Sequence, residues 1–266
     1  MKVSACYIVH YGLEWLYWSI RSVIGYVDDV HIFYTPTPSH GHGTTLECPE
    51  TRKDIGNSIA GLFADYGNIF WHDTDGFAHE GLQRHHAVDV CVMNGADIVL
   101  VVDHDELWPP DVLNRAIKHV SEVEDVQGFC IGMRHFWRSV YWVMDDACMP
   151  TRLIKPKNPV QGVQYLGDDI GKVFHMGYAQ SPRIIEYKQT IHGHKMEWRK
   201  NWFEEKFMAW SPENPLPDCH PTNKDFWTPK QIDIEDPAVD FKALHELIFD
   251  HPYWRAKVID NESFRA

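Results

Sequence analysis

The chain has 266 residues, enough for one large domain or two small ones, and its 44% hydrophobic and 24% charged content is that of a globular protein. Its formal charge of −13 excludes the basic surface that a nucleic-acid partner needs, yet it allows a phosphate-bearing ligand held through a divalent cation. No run approaches the roughly 18 apolar residues of a membrane span. The opening "MKVSACYIVHYGLEW" reaches His10 and Glu14 too early for a secretory leader, so the expected location is cytoplasmic, with peripheral membrane contact still compatible.

In chain order, "KVSACYIV" (2–9) reads as a buried strand and "GLEWLYWSIRSVIGY" as a helix with apolar residues at helical spacing. "DDVHIFYT" (28–35) is a second strand, followed by the turn-forming loop "PTPSHGHGTT". Residues 50–66 have a moderate helical pattern, and "GNIFWH" (67–72) is a third strand. "FAHEGLQRHHAVDVCVMNG" reads as a helix closed by Gly95, "DIVLVV" as a fourth strand, and "PPDVLNRAIKHVSEV" as a helix with proline at its start. Four strand–helix repeats imply a mostly parallel, doubly wound α/β sheet, in which ligands bind outside the carboxyl ends of the strands.

After about residue 125 the alternation stops. "GFCIGMRHFWRSVYWVM" and "PTRLIKP" read as a smaller antiparallel part, and "GKVFHMGYA" as another strand. Residues 181–210 read as mainly helical, 211–237 as a proline-rich connection, and "VDFKALHELIFDHPYWRAKVI" as a terminal helix. No linker interrupts the chain. The expected partition is one domain over 1–266: a ligand-binding half (1–125), a completing half (126–200) and a helical C-terminal extension (201–266). The six cysteines are scattered without a C-x-x-C pair, which argues for reduced thiols rather than a disulfide frame or zinc ribbon.

The concentrated chemistry lies in "DIVLVVDHDELWPPDVL" (97–113), where a greasy strand runs into Asp103, His104, Asp105 and Glu106. Three carboxylates within four residues call for a positive charge. Hard oxygen donors suit Mg2+ or Mn2+, which commonly bridge to substrate phosphates. Glu106 reads as a supporting group or a helix-start charge. "HGHG" (40–43) and "IHGH" (191–194) lack the spaced partners of a structural zinc site.

In this setting the sequence resembles the GT-A-type glycosyltransferases, similar to the family-two-like nucleotide-sugar transferases. Their metal strand ends in Asp-x-Asp-Glu followed by an apolar residue and a proline. The likeness extends upstream through "VSACYIVHYGLEWLYWSIRSVIGYVDDVHIFYTPTPSHGHGT" and "DGFAHEGLQRHHAVDVCVMNGADIVLVVDHDE", covering residues 1–115 and, more loosely, on to about 195. Two departures stand out. "HYGLE" replaces the Asn-Glu pair after strand one, and "YTPT" replaces the acid after strand two.

The resemblance implies transfer of a sugar from a nucleotide-sugar, a UDP-sugar by default, to an acceptor hydroxyl on a glycan, lipid or protein, with Mn2+ or Mg2+ as cofactor. It implies Asp103 and Asp105 as metal ligands, joined by His175 from a late strand. Donor contacts fall to His10 and Tyr11 in the first turn, to Asp73 or Asp75 at the nucleoside, and to Asp103. Arg84, in the place of an Arg-Asn pair with His85, and Lys188 fall at the diphosphate. An inverting transfer also needs a carboxylate base. Among Asp145, Asp146, Asp168, Asp169, Glu186 and Glu197, the first candidates are Asp146, after an aromatic hairpin, and Asp169, before the His175 strand. Two alternatives compete with this reading: a metal-dependent phosphoesterase or other hydrolase, and a non-catalytic nucleotide-sugar-binding relative.

Overall fold

The structure, a computed structural model, describes residues 1–38, 44–144, 148–158, 161–193, 195–223, 226–235 and 239–264. The "HGHG" segment, Asp145, Asp146 and the last histidine of "IHGH" lie outside the described residues. The chain forms two compact units that interleave along the sequence. One comprises Met1–Gly41, Glu50–Met133 and Ala147–Val173; the other comprises His42–Pro49, Arg134–Asp146 and Phe174–Ala266.

The first unit carries the alternation read from the sequence. Its elements are β1 (Val3–Val9), α1 (Leu16–Val23), β2 (Asp29–Tyr34), α2 (Arg52–Ser58), α3 (Ala60–Asp65), β3 (Ile69–Asp73), α4 (Glu80–Met93), β4 (Ile98–Asp103), a two-residue β5 (Glu106–Leu107) and α5 (Pro110–Glu122). It is completed by β6 (Gly128–Cys130), β9 (Thr151–Ile154) and β10 (Val163–Tyr165). The sheet order is β10-β6-β9-β4-β1-β2-β3. β3, β2, β1 and β4 run parallel, and β9 lies antiparallel to both β4 and β6. This is the mixed α/β, mostly parallel sheet that the strand–helix alternation dictates.

Strand alternation sorts the core into two layers. Ala5, Tyr7, Val9, Ile32, Leu100 and Val102 pack with α1, α2, α3 and α5 through Leu16, Ile20, Ile55, Leu62, Leu113 and Ala116. The intervening residues Cys6, Phe33, Val99 and Val101 pack against Ala87 and Cys91 of α4. Helices on both faces make the sheet doubly wound.

The second unit holds β7 (Met133–Trp137, from its second residue), β8 (Trp142–Met144), β11 (Val173–Tyr178, likewise) and β12 (Lys230–Gln231) in the order β12-β8-β7-β11. Its helices are α6 (Pro182–Ile191), a π-helical turn over Phe203–Met208 and α7 (Phe241–Ile248). Its core is aromatic, built on Trp137, Tyr178, Trp202, Phe207, Trp210 and Trp227. Buried Arg138, at φ +47°, donates to the carbonyls of Phe207 (2.8 Å) and Ile259 (3.1 Å), and burial lowers its pKa to about 10.

The terminal helix expected over 239–259 is shorter than its periodicity suggests. α7 stops at Ile248, and Pro252 opens a separate 3-10 turn because it has no N–H to continue the helical ladder. No helix of the described residues is long and apolar enough to cross a membrane. The six cysteines are free thiols, four of them buried.

On the α4 face of the first sheet, Lys2 Nζ meets Asp29 at 2.6 Å, Asp29 meets His31 Nε2 at 3.3 Å, and His31 Nδ1 lies 3.0 Å from His72 Nε2. Burial pushes both imidazoles below their ordinary value; Asp29 opposes this at His31, while His31 and His86 add to it at His72. An imidazole kept neutral in the fold but free to charge when unfolded contributes stability that is complete above about pH 6.5 and is lost as pH falls through the lowered folded value. The urea midpoint should therefore fall from about pH 7.5 to 5, and His72→Phe should flatten the slope. An unchanged slope in that variant would clear the pair of responsibility.

Candidate active site

Asp103 is the last residue of β4 and pairs in register with Ile8 of β1. β1 leads to β2 on one side and β4 leads to β6 on the other, so the chain connections diverge between these two neighbouring strands. That divergence opens a crevice at the carboxyl ends of a parallel sheet. The alternation that buries Val99 and Val101 under α4 turns Asp103 to the same side.

Two arginines meet it there. Arg84 Nη2, from the first turns of α4, donates to Asp103 Oδ1 at 2.7 Å, while its Nε donates to Glu80 at 2.7 Å. Arg152 lies next to Leu153 of β9, whose side chain joins the opposite core layer, so Arg152 also projects to the α4 side. Its Nη2 donates to Asp103 Oδ2 at 2.6 Å, and its Nε donates to both Glu106 oxygens at 2.9 and 3.1 Å. Arg152 is 7% exposed and Glu106 0%.

Burial alone would raise the Asp103 carboxyl, but the Arg152 and Arg84 guanidiniums outweigh it and hold the group well below the usual carboxylate range. Burial opposes charge on Arg84, and Asp103 with Glu80 more than restores it. Asp105 adds a repulsive negative charge beside Asp103; its own side chain is buried, with His104 Nε2 3.8 Å away. Arg84 pairs with Glu80 and Asp103, and Arg152 pairs with Asp103 and Glu106. The positive charge that the acid-rich turn demanded is thus supplied in part by the chain itself.

The turn after β1 closes one side of this cluster. The Tyr11 ring stands edge-on to His104 at 4.7 Å, and His10 Nδ1 lies 2.9 Å from the Thr35 carbonyl. Burial lowers the His10 pKa, against the effect of that carbonyl. Gly12 has φ +149°, and a Cβ there would stand 2.8 Å from the His104 ring, so only glycine fits. Ser19 of α1 donates to the Glu106 carbonyl at 2.5 Å, and Trp108 N donates to Ser22 at 3.0 Å, which fixes the acid-bearing turn to α1.

The other expected site residues are placed as follows. Asp73 ends β3, beside Tyr34 in register, and its carboxylate takes Arg52 bidentately at 2.6 Å as well as Trp71 Nε1 at 2.9 Å. These contacts, led by Arg52, hold its pKa down. Asp75 and Asp169 are exposed in loops, and Asp146 lies outside the described residues. In the second unit, His175 Nδ1 lies 2.7 Å from His135 Nδ1, and a Cβ on Gly177 would stand 2.4 Å from the His175 ring. Lys188 Nζ donates to the Gly177 carbonyl at 3.2 Å over the Tyr178 ring. Among the described residues no group of three or more His, Cys, Asp or Glu side chains is arranged to hold a metal ion.

Sequence reasoning missed Arg152, Glu50 and Arg52. Arg152 carried a signal, a lone charge alternating with Leu153 in a short apolar strand. Glu50 and Arg52 carried none, since an acid and a base near a helix start are ordinary.

No family model matches the chain, and no curated protein matches it. Among solved structures it is similar to the mannosyltransferase PcManGT from Pyrobaculum calidifontis in complex with GDP-Man and Mn2+, at 13% identity and TM-score 0.35, over 50% of this chain and 36% of that one. S. aureus TarS 1–349 in complex with UDP matches at 15% identity and TM-score 0.35, over 51% of this chain and 36% of that one. A second structure of TarS 1–349 matches at 10% identity and TM-score 0.40, over 78% and 76%. The chain thus spans 36% of the length of the first two. Likeness at this level fixes neither fold nor activity.

Replacing Arg152 with Met would remove the guanidinium that Glu106 and Asp103 share. Breaking a buried pair in this way costs about 3–5 kcal/mol, so the denaturant midpoint of Arg152→Met should drop sharply. Glu106→Gln in the same chain should recover part of the loss, and strictly additive effects would show that the two groups are not coupled.

Proposed function

We propose that the protein is a glycosyltransferase that moves a sugar, a hexose or a relative of one, from a nucleotide-sugar donor to an acceptor hydroxyl, with UDP as the default nucleotide and dependence on a divalent metal. The observation that carries this reading is Asp103. It is an ionised carboxylate at the switch point of a parallel sheet, two residues before Asp105, in the stretch that resembles the GT-A metal motif.

The chemistry of the two aspartates suits a dication, although among the described residues no three such side chains stand together as ligands. Their oxygens are hard, and each Asp103 oxygen has lone-pair capacity beyond its one guanidinium bond. Asp103 and Asp105 would hold Mn2+ or Mg2+, which when bound supplies Lewis-acid neutralisation of the departing diphosphate. His175, in the second unit, is proposed as a further ligand on the resemblance alone.

The chain's own residues would do the rest. Arg84 spends Nε and Nη2 on Glu80 and Asp103, while its Nη1 has no hydrogen-bond partner among the described residues. That nitrogen is the donor proposed for a phosphate oxygen, in a charge-assisted bond. His10 and Tyr11 would flank the nucleotide. β3 lies three strands from β4, roughly 14 Å, a span comparable to an extended nucleoside diphosphate, so Asp73 is the proposed nucleoside contact and Asp75 the second choice. Lys188 is the proposed second diphosphate contact, and Asp146 and Asp169 are the carboxylates to test as base.

UDP with Mn2+ should raise the melting temperature of the native protein, since a ligand that binds only the folded state stabilises it. Asp103→Asn and Asp105→Asn should each weaken that binding at least about tenfold while the circular dichroism spectrum stays native. Equal affinity in wild type and both variants would overturn the proposal.

A further inference from the structure

We infer that Glu50 is a positioning residue that holds the His10–Tyr11 turn in the geometry in which it meets the nucleotide; the purpose assigned to the turn rests on the glycosyl-transfer reading above. The Glu50 side chain reaches the turn from 38 residues away in sequence. One of its oxygens, Oε2, accepts from two successive backbone N–H groups, Gly12 at 2.6 Å and Leu13 at 2.8 Å. The residue is 3% exposed.

Two adjacent N–H groups converging on one oxygen form a nest suited to an anion. In this fold the first β–α turn is where such a nest often meets a phosphate. Here the nest already holds a carboxylate from the chain, so the turn is braced from within and the ligand's phosphate is left to Arg84. A buried, charge-assisted pair of bonds is stronger than neutral ones and fixes direction as well as distance.

Glu50 holds the turn together with two other contacts, His10 with Thr35 and Tyr11 with His104. The other two come from the ends of β2 and β4. Glu50 takes the N–H groups of Gly12 and Leu13 between Tyr11 and α1, where Gly12 adopts φ +149° against the His104 ring. Freed from Glu50, Gly12 regains the conformational range that glycine allows, and the Tyr11 and His10 rings lose their fixed origin.

The test compares wild type, Glu50→Gln and Glu50→Ala by amide hydrogen exchange over residues 10–16 without ligand, and by UDP affinity in the presence of Mn2+. In Glu50→Ala the Gly12 and Leu13 amides should exchange at least about tenfold faster, and UDP should bind about tenfold more weakly. Glu50→Gln should stay within about threefold of wild type on both readouts, because its carboxamide oxygen still accepts two bonds. Should Glu50→Ala not fold, Glu50→Asp withdraws the carboxylate by one methylene and is read in the same way. Unchanged exchange in the truncated side chain overturns the clamp. Faster exchange with unchanged UDP affinity overturns the assignment of the turn to the nucleotide. A wild type that binds no UDP overturns the glycosyl-transfer reading itself, while the exchange data still decide whether Glu50 holds the turn.

Discussion

The arrangement at the end of β4 depends on two guanidiniums that neutralise acids the sheet would otherwise be unable to bury. Glu106 is fully enclosed and Asp103 sits at the carboxyl end of the central strand β4; without Arg152 and Arg84 their mutual repulsion would open the turn. Charges so buried are costly unless paired and hydrogen-bonded, and Arg152 meets both requirements by reaching both acids with one planar group. The network makes the strand end rigid and keeps Asp103 ionised, the two conditions for presenting fixed negative charge to a cation.

The turns that surround this charge are tied to one another rather than to the sheet alone. Ser19 and Ser22 link α1 to the turn after β4, His104 packs under Tyr11 and leaves no room for a Cβ at Gly12, and Glu50 grips the backbone of the same loop. Loops braced by buried hydrogen bonds cost less entropy when a ligand orders them. The second unit follows a different principle. Its core is held by aromatic packing around Trp137 and Trp202, and the Arg138 guanidinium satisfies carbonyls of the π-helical turn and the C-terminal segment instead of an acid. Its depressed pKa records the cost of burying that charge.

Much of the first unit was legible in sequence because its signals are local. Period-two burial, helical stripes and a proline at the start of α5 placed β1 to β4, α1, α4 and α5 within a few residues. The single helical stretch read over 50–66 proved to be two helices, α2 and α3. The carboxyl-end rule singled out the turn after the fourth strand, and β4 does end at Asp103. The helix read over 239–259 ran too long because its apolar spacing continued past Ile248 while Pro252 broke the backbone ladder. The short β10, exposed at Val163 and Tyr165, had too little periodicity to stand out.

The amino-acid order by itself determined the layered α/β plan, the concentration of acid after the fourth strand and the need for a cation there, since each follows from residues within a turn or two of one another. Tertiary structure alone decided which cations answer and from where. Arg152 comes from an antiparallel strand 49 positions away, Arg84 from a helix 19 away, and Glu50 braces a loop 38 positions upstream. Such pairings arise when distant segments share one sheet edge, and no local pattern of charge or hydrophobicity encodes that proximity.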